Sequence, residues 1–442
     1  MNTAPRKHVG WASRWTFILA ATGSAVGLGN IWKFPYITGE YGGGAFVLVY
    51  LLCIAIIGLP VLIAEILLGR QGRSNPVDAM LGIARASDAS RLWVIIGIMG
   101  AITGLLIMSF YSVVGGWILD YMAEAAKGSF SGQDAGSISA YFKNSLLPDQ
   151  KLQFAWHSLF ALITISVVAA GVVNGIGMAA RILMPLLALL MLVLLAYSAR
   201  YGAFAEAARF LFAADFSKLS GTAVLVAMGH AFFTLSLGMG AIMVYGSYMP
   251  DKASIAGTAI TIAVLDTVIA MIAGLVIFPL VFAHGISPAA GPGLMFESLP
   301  LAFNDMPFSA VFATVFFVLV AIAALSSAIS LLEPAVAWMD EHIDIGRPWA
   351  TGIVGLLVWG GGVACIYVDQ LFGWLDFLTT NILLPLGGLL MAIFVGWKMK
   401  RKLAKNQLAG LSYHQFNLWY AVLRVFTPIG ILLVFAHSIG LL

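Results

Sequence analysis

Within stretches apolar enough to lie in hydrocarbon, this chain carries a small set of groups suited to holding ions. Residues 23–35 read GSAVGLGNIWKFP, with Gly23, Gly27 and Gly29 in a hydrophobic run and Asn30 and Lys33 just behind. Three glycines so close together each lower helix stability by about 1 kcal/mol relative to alanine. A break there frees backbone carbonyls and amides that hydrocarbon cannot satisfy. Freed carbonyls can hold a cation, and freed amides an anion. The competing reading is a kink at a small-residue packing surface. Residues 234–241, TLSLGMGA, repeat the pattern with Gly238 and Gly240. Tyr111, Asp266, Ser326 and Ser327 are further polar groups in apolar runs. A lone hydroxyl in a spanning helix usually bonds back to its own backbone, the plain reading of Ser326. A carboxylate costs about 2.5–3.5 kcal/mol at the helix centre, so Asp266 needs a partner or a task. Glu65 reads as an acceptor for broken backbone; Glu333, just before Pro334, has no sharper reading.

The elements that must position these groups are membrane spans. The chain has 442 residues, 61% hydrophobic and 10% charged, against about 25% charged in soluble proteins. It reads as an all-α polytopic membrane protein embedded in a lipid bilayer, with no extramembrane enzyme domain and no nucleic-acid surface. Cys53 and Cys365 fall in distant apolar segments and read as buried small hydrophobes rather than a disulfide. Runs of about 20 apolar residues give eleven spans: 15–36, 46–68, 93–122, 154–172, 179–198, 223–248, 255–282, 308–339, 349–367, 371–398 and 416–442. The polar stretch 123–152 and the Pro- and Gly-rich stretch 285–306 read as outer loops. Arg70, Arg73, Arg85 and Arg91 follow the second span, and Lys398, Lys400, Arg401, Lys402 and Lys405 follow the tenth. The positive-inside rule then puts the N-terminus in the cytoplasm and, after eleven spans, the C-terminus outside. The interrupted spans, one and six, are five apart. An odd number of spans per repeat inverts the second copy, which gives two inverted five-helix halves, 11–202 and 220–400. Residues 413–442 add an eleventh helix to a single transporter domain, 1–442. Paired interruptions of this kind point to a transporter's central site.

The stretch GSAVGLGNIWKFP, the EYGGGAF of 40–46, the FFTLSLGMGA of 232–241 and the ALSS of 324–327 closely resemble the neurotransmitter:sodium symporter family. The resemblance covers essentially the whole chain and implies a bacterial member without a twelfth helix. It implies one sodium held by the Ala25 carbonyl, the side chains of Asn30, Thr234 and Asp266, and the substrate carboxylate. A second sodium would take the carbonyls of Gly23, Val26 and Ala323 with the hydroxyls of Ser326 and Ser327. Oxygen ligands suit a hard cation. The resemblance also implies that the amides of Leu28 and Gly29 and the Tyr111 hydroxyl hold a substrate carboxylate. Carbonyls of Ala25, Phe233 and Thr234 would hold the ammonium, and Ile107, Phe233, Ser236, Met239, Ser327 and Leu331 would surround the side chain. Phe233 above Tyr111 would form an outer lid, and Lys33 with Asp376 an outer latch. Trp11, Tyr248 and Glu341 fall at inner gate positions. The family's gate arginine is not matched; His8 stands there, beside Arg6 and Lys7. Gly175 and Pro185 correspond to a pair at which related bacterial members unwind the fifth helix.

The function this implies is sodium-coupled symport of amino acids by alternating access in the bacterial inner membrane. Each ligand would raise the other's affinity. Met239 is flexible and polarizable and no charged residue is placed for the side chain, so hydrophobic and aromatic amino acids are favoured. A channel or a transport-inactive sensor on the same scaffold is the alternative, although a pore needs no substrate lid and a sensor would normally carry an added domain. An intramembrane hydrolase would need an activated nucleophile, and Ser326 and Ser327 have no histidine nearby in their segment. In animal relatives, which need chloride, an uncharged Asn stands at Asp266 and a hydroxyl residue at Ala270. Of their other chloride positions, Tyr50 and Thr234 match and His230 replaces Gln. A fixed carboxylate can balance the charge of a bound cation in a low-dielectric site, so chloride independence is expected. A proton on Asp266 in the empty carrier would add proton antiport.

Overall fold

The computed structural model describes residues 10–288, 293–304, 306–343 and 345–441, and all regular structure among them is helical. The first span is two helices, α1 (Arg14–Ala25) and α2 (Phe34–Glu40), with a π turn at Gly29–Lys33 leading into the second. There follow α3 (Gly44–Gly72), α4 (Arg91–Lys127), α5 (Gln150–Ala169) and α6 (Val172–Tyr201). The sixth span is again split, into α7 (Gly221–Thr234) and α8 (Ala241–Ser247). The chain continues as α9 (Ile255–Ala283), α10 (Ser309–His342), α11 (Arg347–Tyr367), α12 (Leu371–Lys398) and α13 (Tyr413–Ser438). Among the described residues, nine helices are each long and apolar enough to cross a membrane. The two split spans bring the total to eleven, the expected number, and the interruptions fall five spans apart.

Side-chain caps set several of these starts. Ser13 accepts from the Thr16 amide at the head of α1, Ser220 from Ala223 at α7 and Ser254 from Gly257 at α9. Ser412 and Gln415 close a reciprocal capping box at α13. The expected connector between spans four and five is mostly helix instead. The chain reverses in two residues, Ala170 and Gly171, because Gly171 adopts φ +96°. The fifth span is not unwound at Gly175 or Pro185: Gly175 lies in the π turn that opens α6, and Pro185 lies inside the helix. A Cβ on Gly175 would sit 2.0 Å from the Val167 carbonyl oxygen, so this glycine permits the close return of α6 against α5.

Packing brings the two interruptions together. α4 and α10 form the most extensive helix pair, and α1 lies against α6, α9 and α10. The outer loops close over one end. There Phe142 and Phe296 stack at 4.9 Å, and Glu297 accepts from the Lys143 ammonium at 2.7 Å. Met178, Ile182, Leu189 and Leu192 on α6, with Ile353, Leu356 and Leu357 on α11, are exposed. In water that surface would drive association; in a bilayer it faces lipid. Cys53 and Cys365 are both free and buried.

Candidate functional site

The first break is made by Val26 and Gly27. α1 stops at Ala25, and Val26 takes ψ 100° while its amide caps the Thr22 carbonyl. Backbone bonding resumes with the amides of Asn30 and Ile31 on the Gly27 carbonyl. The Leu28 and Gly29 amides therefore stand ahead of the ladder, as the first N–H groups of any helix do. In the second break, Ser236, Gly238 and Gly240 adopt φ of +54°, +87° and +74°. Gly238 also meets α12 so closely that a Cβ there would lie 2.6 Å from the Leu384 carbonyl oxygen. Its amide is held by the buried Glu65 carboxylate at 3.2 Å, the structural role anticipated for that residue.

Asn30, Thr234 and Asp266 converge beside the first break and are essentially without solvent exposure. The Asn30 amide group donates to Asp266 Oδ1 at 2.8 Å and to its carbonyl at 3.1 Å. The Thr234 hydroxyl donates to Asp266 Oδ2 at 3.0 Å, and Asn30 Oδ1 accepts from the Gly27 amide at 3.2 Å. This set satisfies the buried carboxylate with neutral donors. It also collects a carboxylate, an amide oxygen and a hydroxyl oxygen in one place, a donor set that fits a hard monovalent cation. At the other candidate cation position, a Cβ on Gly23 would lie 3.4 Å from the Ser326 Cβ, which puts α1 directly against α10. Ser326 donates to Ala323 on its own helix at 2.9 Å, the ordinary bond of an intramembrane serine. Ser327 crosses instead to the Ser24 carbonyl at 3.2 Å. Val26 and Ala323 are fully buried.

Between the breaks lies a cavity of about 490 Å³. Of the eleven residues expected around a substrate, ten line it: Ala25, Leu28, Gly29, Ile107, Tyr111, Phe233, Ser236, Met239, Ser327 and Leu331. Thr234 does not line it; its hydroxyl is on Asp266, where its side chain was expected. The Tyr111 hydroxyl is buried beside the Ser327 hydroxyl and the Leu28 amide. It faces Gly27, where a Cβ would sit 3.5 Å from it and 2.4 Å from Ser327 Oγ. No side chain fits at Gly27 without displacing that serine.

The two mouths differ. At the mouth expected to be the outer one, Lys33 and Asp376 both line the cavity, yet they do not close into an ion pair. The Lys33 ammonium rests 4.6 Å from the Phe233 ring centroid, and Asp376 accepts from the Thr380 hydroxyl at 3.1 Å. Phe233 thus contacts the Lys33 ammonium while lining the same cavity as Tyr111. The mouth expected to be the inner one is sealed. Trp11 Nε1 donates to the Tyr245 carbonyl at 3.0 Å, and the Trp11 ring packs edge-on against Tyr245 and Tyr248. The Tyr248 hydroxyl donates to Glu333 at 2.9 Å, and Arg347 grips the same carboxylate with two nitrogens, at 3.1 and 2.5 Å. Arg347 also donates to the Val168 carbonyl at the end of α5. Glu341 stands apart from this cluster, accepting from Ser74 at 2.6 Å and from the Asn75 side chain at 2.7 Å. Arg6, Lys7 and His8 lie outside the described residues.

Sequence reasoning did not find Arg347, Ser24 or Ser330. The signal for Arg347 was Glu333 itself, a buried carboxylate that required a cation. Ser24 and Ser330 sat unremarked among glycines and apolar residues; they donate in a chain, Ser24 to Ser330 at 2.7 Å and Ser330 to the Ser327 carbonyl at 2.8 Å.

Comparison with known proteins agrees with this geometry. A family model described as "Sodium:neurotransmitter symporter family" matches residues 8–138 and 147–441. The chain is 36% identical to an uncharacterized sodium-dependent transporter, YhdH, of Bacillus subtilis (strain 168), over 99% of each chain. It is 31% identical to an uncharacterized sodium-dependent transporter of Haemophilus influenzae, covering 99% of this chain and 100% of that one. Among solved structures it resembles the crystal structure of MhsT in complex with L-phenylalanine, with TM-score 0.88 and 40% identity over 98% of this chain and 100% of that chain.

Proposed function

The chain belongs to the sodium:neurotransmitter symporter family, and from that premise we propose that it is a sodium-coupled symporter of hydrophobic and aromatic amino acids, working by alternating access. The observation that carries this reading is the convergence of Asn30, Thr234 and Asp266 beside a cavity that also receives the unladdered amides of Leu28 and Gly29. A cation in that oxygen set and a carboxylate on those amides would lie side by side, so each would favour the other's binding. The phenylalanine in the MhsT complex supports the substrate class. Two sodium ions are read here, the second between Gly23, Val26, Ala323, Ser326 and Ser327. The N-terminus is read as cytoplasmic.

The test is uptake into proteoliposomes. Labelled leucine, tryptophan and tyrosine should accumulate with a sodium gradient, and potassium or choline should not replace sodium. Equal uptake with sodium absent on both sides would overturn the reading. The fixed charge of Asp266 makes the cycle chloride-independent, so gluconate in place of chloride should leave uptake intact. Proton antiport follows if a proton replaces sodium on Asp266 during return of the empty carrier; Asp266→Asn should then lower sodium affinity and flatten the pH dependence of return.

A further inference from the structure

Four serines line the cavity: Ser24 at the end of α1, Ser236 in the second break, and Ser327 and Ser330 on α10. All four are more than nine-tenths buried. A serine hydroxyl has one proton to give and two lone pairs to offer, and one set of directions gives every proton in the group a protein acceptor. In it Ser330 donates to the Ser327 carbonyl at 2.8 Å, and Ser24 donates to Ser330 at 2.7 Å. Ser236 and Ser327 give theirs to the Ser24 carbonyl, at 2.7 and 3.2 Å, and fill both of its lone pairs. In this arrangement all four protons are spent inside the protein. What the group can still show to a ligand is lone pairs alone.

We infer that this serine quartet makes the cavity select substrates whose side chain carries a hydrogen-bond donor, a phenol O–H or an indole N–H, over isosteric side chains without one. The inference rests on the proposed amino-acid site and deepens it. The wall beside the quartet is apolar, formed by Ile107, Met239 and Leu331. An apolar wall discriminates size but only weakly rejects an isostere, whereas a site whose acceptors would be left dry by the wrong ligand discriminates strongly. The quartet is also not free to turn. Ser236 holds φ +54°, a left-handed conformation that a non-glycine residue keeps only when its surroundings enforce it. Its bond to the Ser24 carbonyl ties the second break to the first. A sodium ion on Ser327 would occupy a lone pair there and leave those of Ser24, Ser236 and Ser330 available. The proposed function already commits the nearby Tyr111 hydroxyl to the carboxylate.

The experiment is sodium-dependent competition against labelled phenylalanine by the purified full-length protein, using two isosteric pairs: tyrosine with 4-methylphenylalanine, and tryptophan with 3-benzothienylalanine. In each pair the donor-bearing member should bind about fivefold or more tightly, the effect of one net hydrogen bond. Ser330→Ala removes the acceptor of the Ser24 proton and frees that hydroxyl to donate into the cavity. The tyrosine preference should then shrink, and 4-cyanophenylalanine, an acceptor, should gain on 4-methylphenylalanine; Ser330→Thr should restore the original order. A packing defect alone would weaken all ligands together and leave the ratios unchanged, which would remove the quartet from substrate selection. If the alanine variant does not fold, the wild-type ratios decide. Ratios near one with phenylalanine binding intact overturn this inference only. Absence of sodium-dependent binding by every ligand overturns the amino-acid reading beneath it.

Discussion

The inner and outer mouths of the cavity hold the same kinds of residue, aromatic rings and one pair of opposite charges, in opposite conditions. At the inner mouth the charges are joined: Arg347 grips Glu333, Tyr248 adds a hydroxyl, and Trp11 packs over the tyrosines. At the outer mouth Lys33 and Asp376 are apart, and the ammonium lies on an aromatic face instead. The difference is one of desolvation. Glu333 has no solvent exposure, and an unpaired charge there would be strongly unfavourable. Lys33 and Asp376 line a vestibule in which Asp376 is exposed and the half-buried Lys33 ammonium rests on the Phe233 ring face. A buried pair has to be made or broken as a unit, which suits a seal. A pair with one exposed member and an aromatic face to hold the other can separate at less cost, which suits a latch that closes behind a substrate.

That contrast can be broken most severely at Arg347. Arg347→Gln leaves Glu333 buried and uncompensated, a loss of about 3–5 kcal/mol for the sealed state. Hydrogen exchange along Arg14–Ala25 should rise sharply and sodium-dependent binding should fall. Adding Glu333→Gln should recover part of both, since it removes the stranded charge. No recovery would mean that Arg347 acts mainly through Val168 and the end of α5.

A smaller effect is expected at the outer pair. Lys33→Ala and Asp376→Ala should each impair transport more than sodium-dependent binding, because the cavity forms without the latch but does not close. Normal transport by both variants would show that Lys33 merely reaches toward the outer surface. Within the cavity, Met239→Phe should disfavour tryptophan against alanine by about 1–3 kcal/mol through overpacking, read as a shift in their competition ratio.

The smallest effect belongs to the outer rim. Burial works to raise the Glu297 carboxyl, but hydrogen bonds from Lys143 and Ser139 outweigh it and hold it below the usual glutamate range. A depressed carboxyl stabilises the folded state above its ordinary range, and that stabilisation is lost as pH falls through the depressed value. The tie between the outer loops should therefore persist to mildly acidic pH and loosen below it. The exposed lysine limits the effect to about 1 kcal/mol or less. Lys143→Gln should move the loosening toward higher pH, read by exchange in Tyr141–Leu146.

The sequence by itself determined the class of the protein, its eleven spans and the two interruptions, since apolar run length and glycine spacing act locally and need no partner. It also named most of the cavity, because a family's motif residues travel with its backbone breaks. Asp266 was legible for a related reason: a carboxylate in hydrocarbon is conspicuous wherever it sits. The tertiary structure alone decided which cation answers Glu333, because Arg347 belongs to the next helix and meets it only through the turn between α10 and α11. It alone left Thr234 out of the cavity lining, and it replaced the connector expected between spans four and five with a two-residue reversal at Gly171. It alone set the proton directions of the serine quartet. Those depend on which hydroxyl reaches which carbonyl across α1, α10 and the break between α7 and α8, a matter of ångströms between residues some 300 positions apart in the chain, and no local pattern encodes that distance.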